Sequence, residues 1–251
     1  MDRKVAIVTG GGSGIGRAIA EAFAENGIAP VIADFDEGAA DIAHALNGHF
    51  IHADLSKRVA CRRVVDETLE KYGQVDILIN NAGVQNVHRV HEFPEDTWDM
   101  MIALMLTAPF LLTKYVWESM MAQKWGRIVN MGSIHSLVAS PAKAAYISAK
   151  HGLIGLTKTT ALEGGAYGIT VNAICPAYVR TPLVDGQITA QAQDRGISEE
   201  DVVQDVMLAN AAIKQMIDPS EIADLVLYLC SDKARSVTGA SWTIDLGWTA
   251  R

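Results

Sequence analysis

In the stretch ASPAKAAYISAKHGLIGL, residues 139–156, small and aliphatic residues dominate, yet Tyr146 and Lys150 stand four positions apart. On an α-helix that offset puts two side chains on one face, with Cβ atoms about 5–6 Å apart. A phenol beside an ammonium has a specific chemical use. Oxidising an alcohol to a ketone sends a hydride to an acceptor and releases the hydroxyl proton, so a base must stand beside the hydride acceptor. A free phenol ionises near pH 10, and its anion needs roughly 3–4 kcal/mol of preferential stabilisation to serve near neutrality. Lys150 brings positive charge at short range, and an oxidised nicotinamide would add to it. Ser133, in the run RIVNMGSIHS, lies thirteen positions before Tyr146 and can donate a hydrogen bond to a substrate oxygen as charge develops there. A tyrosine–lysine pair by itself is more often a plain surface contact; Ser133 and a glycine-rich loop give it chemical meaning.

Hydride chemistry needs a dinucleotide, and the elements that would position one are visible. Short apolar or β-branched runs at 4–9, 30–33, 50–53, 76–79, 127–131, 169–174 and 241–244 alternate with helical patterns at 15–26, 37–46, 56–72, 95–123, 142–166 and 219–231. Uninterrupted apolar strands separated by helices predict an α/β fold with a doubly wound parallel sheet in a single domain. Ligands in such sheets bind beyond the carboxyl ends of the strands. After the first strand comes TGGGSGIG, comprising Thr9, Gly10, Gly11, Gly12, Ser13, Gly14, Ile15 and Gly16, followed at once by a helical pattern. Glycines there let the backbone approach a pyrophosphate, whose charge meets the helix N-terminus. Asp34 ends the second strand, eighteen residues past Gly16. A carboxylate there accepts from a ribose 2′-hydroxyl and repels a 2′-phosphate, which favours NAD over NADP, although Asp34 and Asp36 could also cap the next helix. Asp54 and Leu55 follow the third strand, where Asp54 reaches an adenine edge or caps the helix from Ser56. Asn80, Asn81, Ala82 and Gly83 follow the fourth, as a loop lying against the cofactor or as a simple turn.

Composition narrows the classes. With 251 residues, 49% hydrophobic and 20% charged, the chain can bury a large core. A net charge of −8, with no basic run longer than Arg62-Arg63, argues against nucleic acid. The first apolar run stops at Thr9, too short for a signal core or a membrane span, so a cytoplasmic protein is expected. Cys61, Cys175 and Cys230 are odd in number and contain no CxxC pair, which predicts reduced core thiols and no metal site.

In this order and along essentially the whole chain, TGGGSGIG, NNAG, Ser133, YISAK and PAYVRT resemble the short-chain dehydrogenase/reductase family. The resemblance implies a Rossmann-like fold, with Ser133 polarising the substrate and Tyr146 as acid/base. Lys150 would bind the nicotinamide ribose and lower the tyrosine pKa. Pro176, Thr181 and the backbone near Val179 would hold the nicotinamide amide, and the assembly would be a homotetramer. One departure stands out: where the family usually has an asparagine in the helix after the fourth strand, holding a water of the proton relay, this chain has Met105. A thioether donates no hydrogen bond, so a low-turnover cofactor-binding protein is the alternative from another class. Ala177 and Leu246 replace usual glycines.

For the substrate, Gln85, His135, Lys143 and Gln187 supply amide and cationic donors beyond the predicted nicotinamide position and suit a small carboxylate. Each taken alone is a satisfied or solvent-facing residue. Together these positions look closest to the branch of the family that acts on 3-hydroxybutyrate, although a lysine usual just before the last glutamine is Gly186 here. The expected substrate is therefore a small 3-hydroxy acid, the alternative another small alcohol, ketone or sugar derivative. The charged, helical segment 182–216 reads as a closing lid, a surface helix pair or an oligomer contact. Trp242 and Trp248 read as packing or interface residues.

Overall fold

The computed structural model describes residues 3–250; Met1, Asp2 and Arg251, the ends of the predicted 1–251 domain, lie outside the described residues. Seven strands, β1 (Val5–Thr9), β2 (Ala29–Asp34), β3 (His49–His52), β4 (Ile77–Asn80), β5 (Gly126–Met131), β6 (Ile169–Pro176) and β7 (Ser241–Ile244), form one sheet. All pair in parallel, in the order β3-β2-β1-β4-β5-β6-β7. Strand order reverses between β1 and β4, which opens a crevice at their carboxyl ends.

Alternation along β1 shows how the core divides. Val5 and Ile7 join one apolar cluster and Ala6 and Val8 the other, since successive strand residues face opposite sides. On the first side α3 (Arg58–Tyr72) and α5 (Ala108–Gln123) bury Cys61, Val64, Leu112 and Val116. On the second, α1 (Gly14–Glu25) and α9 (Pro219–Cys230) bury Ile19, Phe23, Val226 and Leu229. Both faces being covered explains why the strands read as continuous apolar runs. The cysteines are all free and buried. Between these lie α2 (Ala39–Ala45), α4 (Glu95–Ile102), α6 (Ala144–Gly164), α7 (Pro182–Arg195) and the short α8 (Glu199–Asp201).

The sequence predicts one helix over 95–123, but π-helical backbone at Ala103–Thr107 separates α4 from α5. By length and composition Glu95–Gln123 could cross a membrane; in the fold it packs on α3, α6 and the sheet. Of the segment 182–216, expected to be helical, the helices cover Pro182–Arg195, Glu199–Asp201 and Val202–Met207, while 208–216 is irregular; the small core of Ile188, Ala192, Val202 and Met207 packs against Tyr178. Of the two replaced glycines, Leu246 sits at φ +59°, a left-handed conformation costing a branched residue about 1–2 kcal/mol. Ala177 has no such φ.

A ladder of buried amides fixes α6 against the sheet. Asn80 Nδ2 donates to Asn130 Oδ1 (2.8 Å), Asn130 Nδ2 donates to Thr157 Oγ1 (2.9 Å), and the Thr157 hydroxyl donates to the Leu153 carbonyl (2.8 Å). Buried polar groups must be paired, so this chain of bonds ties β4, β5 and α6 in one register. Gly16 does the same for α1, because a Cβ there would overlap the Gly10 carbonyl oxygen. Gly16→Ala should therefore lower stability by about 1–3 kcal/mol, read as a lower urea midpoint, while Ala at Gly155, where a Cβ meets nothing within 4 Å, should not.

Candidate active site

The crevice has a volume of about 680 Å³, the size of a small-molecule site, and runs from the glycine loop past Ser133, Tyr146 and Lys150 to Thr181 and Val184. At its first end the loop keeps its backbone bare. Gly10 and Gly14 have φ +64° and +51°, and a Cβ on Gly12 would stand 2.9 Å from Asp34 Oδ2 and 2.7 Å from the Ala39 Cβ. Ser13 is the N-cap of α1 but its hydroxyl makes no capping bond, which leaves the first amides of α1 available to an anion. The bare backbone and open helix end fit the pyrophosphate of a dinucleotide.

Asp34 uses one oxygen to accept from the Gly12 amide (2.8 Å) and the other from the Asp36 amide (3.0 Å), so it braces the loop and also faces the crevice. Asp54 caps the following turn, accepting from the Ser56 amide (3.0 Å) and hydroxyl (2.6 Å), and lines the crevice beside Leu55. Asn81 lines the crevice and also braces it. Its amide donates to the carbonyls of Thr9 (3.0 Å) and Gly10 (3.1 Å), while the Thr9 hydroxyl accepts from the Asn81 and Ala82 amides. The side chain thus staples the two loops together, and Ala82 and Gly83 line the crevice. Pro176, Val179 and Thr181 line its far end, where Thr181 caps α7 by accepting from the Val184 amide. Phe35, which sequence reasoning passed over, is 70% exposed on the same wall.

The register of α6 brings Tyr146 and Lys150 to the crevice. Lys150 is buried, its Nζ donates to the Met131 carbonyl (2.6 Å) and lies 5.6 Å from the centre of the Tyr146 ring. Burial pushes the ammonium down to about 8. Burial also raises the Tyr146 phenol above its ordinary value, and the neighbouring Ser133 hydroxyl works in the opposite direction. In the free protein desolvation of the phenol outweighs the hydrogen bond from Ser133. Ser133 caps the turn Ile134–Ser136 and its Oγ accepts from the His135 amide (3.2 Å).

His135 and Lys143, expected to hold the substrate, are not among the residues that line the crevice; they pair with each other next to Tyr146. Their side-chain nitrogens are 3.3 Å apart, and the His135 ring meets Tyr146 edge-on at 6.2 Å. Burial, then the charge of Lys143, pushes His135 down to about 4, so it is neutral at physiological pH and accepts from the Lys143 ammonium. Burial also lowers Lys143. Ala142, at φ +64°, turns the chain just before Lys143, and its carbonyl accepts from the His88 amide (2.9 Å). That bond brings the segment with Gln85 alongside Lys143, although the Gln85 carbonyl oxygen is taken by the Asn86 amide (3.0 Å). Gln187 lies half-buried on α7, and among the described residues no hydrogen bond joins it to His135 or Lys143. Trp248, on the C-terminal stretch, packs against His135 of its own chain. Its ring stands edge-on to His135 at 6.5 Å, a contact that no local sequence pattern announces. Met105 is buried on the π-helical stretch among Met101, Ala145 and Ala149, with its sulfur facing Gly83. The break in the helix is thus present without an asparagine.

The chain is similar to known proteins over nearly its whole length. The family described as enoyl-(acyl carrier protein) reductase matches residues 10–249. A D-beta-hydroxybutyrate dehydrogenase of Rhizobium meliloti is 44% identical over 99% of both chains, and one of Cupriavidus necator is 42% identical over the whole of both. A cis-4-hydroxycyclohexanecarboxylate dehydrogenase of Sinomonas cyclohexanicum is 36% identical over 98% of this chain and 97% of its own. A match over nearly the whole length, on a parallel sheet with a glycine loop at its switch point, makes the chain an oxidoreductase of the short-chain dehydrogenase/reductase family.

Proposed function

We propose that the chain is an NAD-dependent dehydrogenase that interconverts a small 3-hydroxy acid and its 3-keto acid, with 3-hydroxybutyrate and acetoacetate as the best-fitting pair. One observation carries this. Lys143 is a half-buried ammonium bonded to His135, whose ring meets Tyr146, and among the described residues no carboxylate pairs with it. A desolvated cation held without a counter-ion favours an anionic ligand, and a carboxylate is the anion that a charge-assisted bond orients best. The named substrates of the similar dehydrogenases from three organisms carry a hydroxyl and a carboxylate, which supports the same reading.

With the substrate carboxylate on Lys143 and a neutral His135, the hydroxyl would be directed to Ser133 and Tyr146. Ser133 donates to the substrate oxygen and Tyr146 removes its proton as the hydride leaves the carbon that bore both. A bound nicotinamide dinucleotide supplies the hydride acceptor, and its positive charge joins that of Lys150 in favouring the phenolate. Asp34 directs the choice of cofactor by repelling a 2′-phosphate. Residues 182–207 act as a lid that brings Gln187 toward the substrate and keeps water out.

A panel of hydroxy acids and neutral alcohols, followed through absorbance of the reduced cofactor with NAD and with NADP, tests this. Turnover should favour 3-hydroxybutyrate and NAD; activity confined to neutral alcohols would remove the carboxylate reading. Cofactor binding without turnover on any member would favour the low-turnover alternative raised by Met105. Lys143→Met should raise KM for the acid about 10–100-fold, the worth of one charge-assisted bond. Because burial lowers the Lys143 pKa, KM for the acid should also climb on the alkaline side at a lower pH than an ordinary lysine would give. That rise should vanish in Lys143→Met. Tyr146→Phe should lower kcat by about 10²–10⁴-fold without changing the thermal midpoint.

A further inference from the structure

Asp245 follows β7 directly and is buried, 9% exposed, yet no cationic side chain pairs with it among the described residues. Its carboxylate is instead wrapped by the five residues it begins. Oδ1 accepts from the Gly247 amide (3.1 Å), Oδ2 accepts from the Thr249 amide (2.9 Å) and hydroxyl, and the Asp245 carbonyl accepts from the Trp248 amide (2.9 Å). Burial alone would raise the carboxyl pKa, but the bonds from Thr249 and Gly247 outweigh it and hold the group below its usual value. The turn is correspondingly tight, with Leu246 and Gly247 both left-handed at φ +59° and +77°.

Both ends of this turn do something for the site. Inward, it delivers Trp248 to the face of His135, which in turn contacts Tyr146. Outward, the Leu246 carbonyl accepts from the amides of Ala212 (2.7 Å) and Ile213 (3.2 Å), and a Cβ on Gly247 would lie 3.1 Å from the Ala212 Cβ. Ala212 and Ile213 lie just beyond the helical segment 182–207. One buried carboxylate therefore organises a turn that touches the substrate side of the site with one residue and anchors the end of the helical segment with another. A branched residue held at positive φ persists only where its surroundings over-determine the backbone, and here the carboxylate and the two amides do so.

We propose that Asp245 is a positioning residue, which fixes Trp248 as a wall of the substrate pocket and ties that wall to the anchor of the helical segment. The identity of the molecule in the pocket rests on the hydroxy-acid reading; the mechanical role does not. The consequence to be tested is selectivity for small substrates, which follows if the indole held against His135 bounds the space a longer chain would need.

Asp245→Asn keeps the shape of the side chain but removes its charge and one acceptor. It should raise KM for 3-hydroxybutyrate about tenfold, the loss of roughly one charge-assisted bond's worth of order, while KM for NAD and kcat stay within about threefold. The discrimination against 3-hydroxy acids two carbons longer should shrink. Hydrogen exchange should quicken at the amides of Ala212 and Ile213, a change read without any substrate. Thr249→Val, a milder change, should move both readouts the same way by less. Unchanged exchange at Ala212 and Ile213 in both variants would overturn the proposal. So would a lower thermal midpoint accompanied by equal rises in KM for acid and cofactor. If the unaltered protein turned over no hydroxy acid, the functional reading would fall and the exchange comparison would still decide the role of Asp245.

Discussion

Removing a phenol and an ammonium from water together penalises the charged form of each, and the active face of α6 is built around that opposition. Burial raises Tyr146 and pushes Lys150 down to about 8, while the carbonyl of Met131 takes one of the ammonium's three hydrogens. In the free protein the phenol is thus a poor base. Positive charge delivered to the crevice changes the balance, because in a low-dielectric site it acts more strongly than it would in water. On the proposed reading, the phenol keeps its proton until the charge of the hydride acceptor arrives, which couples proton removal to cofactor binding.

Such coupling requires side chains from distant parts of the chain to hold their places to within fractions of an ångström. The fold provides this by tying the site to its most rigid parts. The Asn80–Asn130–Thr157 ladder locks α6 to the centre of the sheet, and Asn81 and Thr9 join the two loops that border the crevice. Of the four described non-glycine residues at positive φ, two border this region, Ala142 next to Lys143 and Leu246 in the turn carrying Trp248. Sites of this kind keep strained residues because the surrounding hydrogen bonds leave them no alternative.

Much of this was legible in the sequence because its signals are local. Each of the seven predicted strands is present within a few residues, since a parallel strand buried on both faces writes its own apolar run. The glycine loop, Asp34, Ser133, Tyr146 and Lys150 all reach one crevice for a related reason: each follows a strand or sits on a helix of fixed periodicity. What was not legible depends on contacts between remote segments. The π-helical break at Ala103–Thr107 is invisible to a 3.6-residue pattern, and the part played by Asn81 depends on Thr9 and Gly10, about seventy positions away. Trp248 reaches His135 only through the turn after β7. The upward direction of Tyr146 in the free protein depends on its surroundings in the fold, which spacing along one helix does not reveal.

The ionisation of Tyr146 itself tests the central claim most directly. Phenolate absorbance can be titrated in the unaltered protein and subtracted against Tyr146→Phe, first free and then saturated with oxidised cofactor. The expected result is ionisation above the ordinary phenol value in the free protein and at a distinctly lower pH when the cofactor is bound, with a smaller displacement in Lys150→Met. A phenolate already present at neutral pH in the free protein, or a titration indifferent to the cofactor, would contradict it.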